Sequence, residues 1–146
     1  MRRQHNILIG ERTAEDIKIE VGAAIPILDD PPPPYAVRGR DLLSGIPKEI
    51  LITHDEVASA LDKTIAKIEE AILSALASTP PELSADIYKT GIFLAGGGSM
   101  LRGLNLRIQE KTKLPVHVAD NPLRAVALGT SIALKNIGRY QFLIKD

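Results

Sequence analysis

Apolar and polar positions divide the chain into a helix-and-hairpin opening, one long amphipathic helix, and a closing run of strand, helix, strand, helix. The clearest pattern lies in the middle. Val57, Leu61, Ile65, Ile68, Ile72 and Leu76 recur every three or four residues, one apolar stripe over about six helical turns. Thr53 and Glu56 stand at the N-cap and third positions of a capping box, and Thr79-Pro80-Pro81 ends the helix. Upstream, residues 35–40 and 49–52 predict two strands of a hairpin joined through Ser44-Gly45-Ile46-Pro47. The opening predicts two short helices. The first ends at Gly10 after Asn6-Ile7-Leu8-Ile9. The second is capped by Thr13, carries Ile17 and Val21 on one face and stops at Gly22.

After the long helix the pattern predicts a short helix over 82–89 closed by Gly91, then an apolar strand over 92–95. A helix beginning near Met100 carries Leu101, Leu104 and Ile108, and a second strand follows over 114–119. A final helix is opened by Asn121 and Pro122 and runs through Leu123, Ala125, Val126, Ala127, Leu128, Gly129 and Ile132. That order is α/β, with the two late strands in one sheet.

Composition narrows the function classes. The 146 residues carry 18 basic and 18 acidic groups, which excludes a strongly basic nucleic-acid footprint. No cysteine is present, so disulfides, thiolate metal sites and thiol nucleophiles are excluded. No apolar run approaches the ~18 residues of a membrane span, and Ile7-Leu8-Ile9 is too short for a secretory segment; a cytoplasmic protein is expected. Aromatics are 3% of the chain, so the core must be aliphatic. Pro31-Pro32-Pro33-Pro34 reads as a stiff connector at a loop tip, with a proline-rich ligand as the functional alternative. Arg38, Arg40 and Lys48 give the hairpin a basic edge that reads first as a solvated edge.

Candidate chemistry concentrates in two places. Gly96, Gly97, Gly98 and Ser99 join a buried strand to a helix. Such a turn either lets the backbone approach a phosphate or nucleotide edge, or is simply tight. Gly-x-x-x-x-Gly-Lys-Ser/Thr is absent, and Leu101 stands where a dinucleotide fingerprint needs its third glycine. On the early helix, Glu15 and Lys18 share a face three residues apart. They could hold a ribose hydroxyl and lie along an adenine ring, or form an exposed ion pair. His5, His54 and His117 are scattered without carboxylates at ligand spacing, so no metal site is expected, and no nucleophile–base pair is visible.

Several segments resemble the MreB family of bacterial actins, which determine rod shape. They are residues 9–22 (Ile-Gly-Glu-Arg-Thr-Ala-Glu-Asp-Ile-Lys-Ile-Glu-Val-Gly), Val37-Arg38-Gly39-Arg40-Asp41-Leu42, Thr79-Pro80-Pro81-Glu82-Leu83, residues 91–103 and residues 121–129. The resemblance covers nearly the whole chain but only the C-terminal part of that family. The family's two phosphate loops and the catalytic segment between them have no counterpart here, so the chain reads as a fragment or truncated product. The resemblance implies part of the second, ribonuclease-H-like lobe of an actin-like fold with a small inserted α+β subdomain. Residues 1–55 would be that subdomain. Residues 56–146 would be the C-terminal part of the large subdomain, with the long helix and two strands.

The resemblance also implies ATP as the ligand, its adenosine lying between the small-subdomain helix and the glycine loop. Glu15 and Lys18 match the helix positions, Gly96, Gly97, Gly98 and Ser99 match the loop, and Met100 lies near the base. No catalytic residue and no metal ligand is assigned, because Mg²⁺ would be held mainly by residues absent from this chain. Hydrolysis by these residues alone is expected to be negligible, and ATP binding weaker than in an intact relative. Expected partners are further copies, in filaments, and the cell-wall elongation machinery. Nucleic acid is not among them, and membrane association, at the periphery of the cytoplasm, would run through segments missing here. Sugar kinases and chaperones share the fold, and a filament-capping fragment is a further alternative. The edge of the late strand pair should be unpaired and apolar, which implies aggregation or marginal folding.

Overall fold

The computed structural model describes residues 1–140. The long helix, α3 (His54–Ala77), forms as the stripe predicts. The Glu56 carboxylate accepts the Thr53 backbone N–H at 3.0 Å and the Thr53 hydroxyl at 3.2 Å, holding the first turn. The stripe shifts partway along: Ile65 is buried, whereas Ile68 is 44% exposed and its neighbour Glu69 only 7%.

Upstream, α1 (Arg2–His5) and α2 (Glu11–Val21) flank β1 (Ile7–Leu8). The apolar triplet expected to end the first helix is therefore partly strand. Ile7 and Leu8 pair antiparallel with Asp41 and Arg40, a partner far along the chain. The first helix ends at Asn6, left-handed at φ 54°, a conformation asparagine tolerates better than most residues. Gly10, expected as a C-cap, instead precedes α2 as its N-cap, so Thr13 lies inside that helix. Gly22 does end α2, its N–H donating to the Lys18 carbonyl. The two hairpin strands form as expected, as β2 (Tyr35–Asp41) and β3 (Pro47–Ile52), paired antiparallel. Ile17, Val21, Val37 and Ile52 pack together between α2 and this sheet.

Downstream, α4 (Pro81–Thr90) leads through Gly91 into β4 (Ile92–Leu94). β4 pairs in parallel with β5 (Val116–Val118), and α5 (Leu104–Thr112) lies between them in the chain. The helix expected from Met100 begins four residues later. The glycine segment first makes a single 3-10 turn, Gly97–Met100, and Gly103 at φ 75° caps α5. The last helix, α6 (Ala125–Lys135), likewise starts after Asn121-Pro122-Leu123, which form a turn closed by the Arg124 N–H on the Asn121 carbonyl. Ile65, Leu104, Ile108 and Val116 form a second core, joined by Ala24 from the N-terminal half. Burying a side chain such as Ile108, 1% exposed, is worth about 1.5–3 kcal/mol. No residue of α6 is buried, and Phe93 on β4 is 68% exposed beside His117 of β5. Among the described residues β4 and β5 pair only with each other, so the strand pair has unpaired edges as expected. Phe142, one of the five aromatics, lies outside the described residues.

Candidate functional site

Glu15 and Lys18 lie one helical turn apart on α2, with Lys18 Nζ 2.6 Å from Glu15 Oε2. Both side chains are about half exposed, so the pair is worth no more than a few tenths of a kcal/mol and opens at little cost. It can exchange its internal contact for a ligand's hydroxyl or ring.

The glycine turn is built differently at each position. Gly96 adopts φ 81°, ψ 172°, open in practice only to a residue without Cβ. Its N–H donates to the Pro122 carbonyl at 2.7 Å, tying the turn to the segment ahead of α6. The buried Ser99 hydroxyl donates back to the Gly96 carbonyl at 2.7 Å, so this side chain closes the turn and is not offered to a ligand. Gly97 and Gly98 are exposed, and a Cβ at Gly98 would meet no atom within 4 Å. Met100 is 59% exposed. The turn therefore presents bare backbone with a flexible, exposed thioether at its end.

The two groups sit on elements joined by a seam. Gly22, one turn beyond Lys18, packs so closely on Leu101 that a Cβ there would lie 2.9 Å from Leu101 Cδ1. Ala23 pairs in parallel with Arg102, the Ala24 N–H donating to the Arg102 carbonyl at 2.8 Å. The Arg102 guanidinium reaches the carbonyls of Ile19 and Gly22 at 3.3 and 3.4 Å. The C-terminal end of α2 thus rests on the residues that directly follow the glycine turn. Among the described residues no hydrogen bond or ion pair joins Glu15 or Lys18 to the turn itself.

Not foreseen from the sequence is an ionic cluster behind this seam, with Arg107 and Glu69 largely buried and Asp62 exposed. Arg107 of α5 donates through Nε to Glu69 Oε1 and through Nη1 to the Ala24 carbonyl at 3.0 Å, with Asp62 Oδ1 2.9 Å from Nη1. The hydrogen bond that Arg107 donates to Glu69 raises the Arg107 pKa above its ordinary value. A polar residue at the buried position of an amphipathic stripe, Glu69 beside Ile65 and Ile72, was the available signal. Two surface depressions, of about 300 and 500 Å³, lie along α5 and its exit; their linings include neither Glu15, Lys18 nor the glycine turn. No group of three or more His, Asp or Glu among the described residues is placed to hold a metal ion. Nor is any described helix long and apolar enough to cross a membrane.

The MreB/Mbl protein family model matches residues 1–141. The chain belongs to the MreB/Mbl family. It is 45% identical over 139 residues to the cell shape-determining protein Mbl of Bacillus subtilis, covering 95% of this chain and 41% of that one. To the cell shape-determining protein MreB of Escherichia coli it is 42% identical over 137 residues, 94% of this chain and 39% of that one. The chain thus spans about two fifths of the length of these curated relatives. The crystal structure of MreB 5 of Spiroplasma citri bound to AMPPNP superposes with TM-score 0.87 at 35% identity, over 94% of this chain and 41% of that one. A MamK double helical filament shares the fold at TM-score 0.65 and 23% identity, over 84% of this chain and 36% of that one. The fold is therefore part of an actin-like α/β lobe, as the resemblance implies.

Proposed function

We propose that this chain forms the adenosine-contacting wall of an ATP-dependent, filament-forming cell-shape protein. In this reading the Glu15 carboxylate accepts a ribose hydroxyl, the Lys18 stem lies along the adenine, and the bare backbone of Gly96, Gly97 and Gly98 covers the other face. Ser99 locks the turn, and Met100 borders the base. The observation that carries this is the seam of Gly22, Ala23 and Ala24 on Leu101 and Arg102, which couples the two candidate groups. The related MreB 5 structures bound to AMPPNP and to ADP support it.

Residues 1–55 then act as a small inserted subdomain and residues 56–146 as part of the large one. The cluster around Val37 draws mainly on the first of these and the cluster around Ile108 mainly on the second, with Val57 and Ala24 crossing between them. ATP, with Mg²⁺ held on groups other than those described here, would bind at the wall, and self-association into filaments and work with the wall-elongation machinery at the cytoplasmic membrane surface would follow from family membership. Photolabelling with 8-azido-ATP followed by peptide mapping tests the site. Label competed by ATP on residues 11–21 and 96–103 is expected; competed label confined to other peptides would overturn the assignment.

A further inference from the structure

We propose that Arg102 and Arg107 are positioning residues that set the spacing between α2 and the glycine turn. Both reach back 80 residues or more in sequence to main-chain carbonyls at and just beyond the end of α2: Arg102 to Ile19 and Gly22, Arg107 to Ala24. A carbonyl cannot move without its backbone, so these bonds fix where the helix carrying Glu15 and Lys18 ends. The other end of the clamp is held on α3. Arg107 is anchored by Glu69 and Asp62 of α3, and its side chain is only 18% exposed. Arg102 lies three residues after Ser99, the residue that locks the glycine turn.

Arginine suits this task for a geometric reason. Its planar fork sends Nε to a carboxylate and Nη1 to a carbonyl in fixed relative directions, whereas a lysine ammonium is a single point of charge on a flexible stem. The ion pair itself is not the purpose, because a buried pair is weak evidence for stability. Its effect is to hold the fork so that the second bond, to Ala24, is made at one place. The consequence for ligand binding rests on the adenosine reading above: a wall whose two halves are held at one spacing loses little freedom on binding.

The chain has no cysteine, so two labels can be introduced without interference. Glu20→Cys on α2 and Asp120→Cys beside the turn, both exposed, carry spin labels for pulsed dipolar distance measurement. The parent pair should give one narrow distance distribution. Arg107→Met alone would strand a buried carboxylate, so the decisive variant is Glu69→Leu with Arg107→Met, which removes both charges. Arg102→Ala is a second variant that needs no buried change. Both should broaden the distribution and lengthen its mean, and Arg107→Lys should fail to restore it. Leu61→Ala, a destabilisation in the same core, should leave the distribution narrow. Clamp variants that melt cooperatively yet keep the parent distribution would overturn the proposal, as would equal broadening by Leu61→Ala. If the distances broaden while binding of MgATP to the same variants, followed by titration, is unchanged, the clamp stands and the adenosine reading fails.

Discussion

Replacing the glycines of the turn one at a time separates a glycine needed for its backbone from one needed for the open face before it. At Gly96 the backbone lies at φ 81°, ψ 172°. Forcing a β-branched side chain into that region costs about 1–3 kcal/mol, or roughly 5- to 150-fold in the folded-to-unfolded ratio at 1.4 kcal/mol per decade. Gly96→Val should therefore fold measurably less stably. Gly98 has no such requirement, because its φ lies outside the left-handed range and a Cβ would have nothing within 4 Å. Gly98→Val should leave unfolding within about 0.5 kcal/mol of the parent. If the space before Gly98 is where the purine stacks, the added isopropyl group fills it. A stacking contact on a base is worth about 1–3 kcal/mol, so the dissociation constant should rise about tenfold. Urea unfolding followed by circular dichroism reads the first effect. Titration of the ¹⁵N-labelled chain with MgATP, which detects weak binding, reads the second. Gly98→Val that folds and binds like the parent would refute the open-face reasoning, and Gly96→Val as stable as the parent would refute the backbone reasoning.

Three further outcomes are expected. Glu56→Ala removes the acceptor of the Thr53 N–H and hydroxyl and should cost about 1 kcal/mol, read as a lower urea midpoint; an unchanged midpoint would show that the cap is idle. The Ser44 and Leu43 N–H groups both donate to Asp41 and hold its carboxyl below the usual range. That contribution is complete above the unfolded-state value of about 3.9 and is lost as pH falls through the lower folded value. Melting temperatures of the parent and Asp41→Asn should therefore differ at pH 6 and converge under acid; a gap that persists or widens would contradict this. The bare face of α6, with Val126 80% and Leu134 63% exposed, should drive concentration-dependent association. Sedimentation velocity should show Val126→Lys with Leu134→Glu reducing it, and a parent that stays monomeric throughout would refute the expectation.

What the sequence revealed was local or strongly periodic. The Thr53–Glu56 cap, the stripe on α3, the Gly22 stop and the two hairpin strands depend on residues within a few positions of one another, or on a repeat long enough to survive one exception. The misplaced boundaries have long-range causes. Ile7 and Leu8 become a strand because Arg40 and Asp41 lie beside them. The late helices start after Gly103 and Arg124, because the preceding glycine and Asn-Pro segments close turns of their own. Arg107, Glu69 and Asp62 come together only in the folded chain, and of the three only Glu69, set beside the apolar stripe of α3, carries a local signal. Of the candidate site, residue types and local pairing were readable, including the Glu15–Lys18 contact. The seam that couples α2 to the turn was not, since its pairing of Ala23 with Arg102 spans most of the chain.

In the proposed function the purine and its sugar, rather than the phosphates, are what this chain grips. Amide chemical-shift mapping with adenosine, and separately with MgATP, tests it most directly. The same footprint is expected for both, centred on Glu15, Lys18 and Gly96 through Met100. A footprint on the α5 groove around Leu106 and Pro115, or shifts with MgATP and none with adenosine, would contradict it.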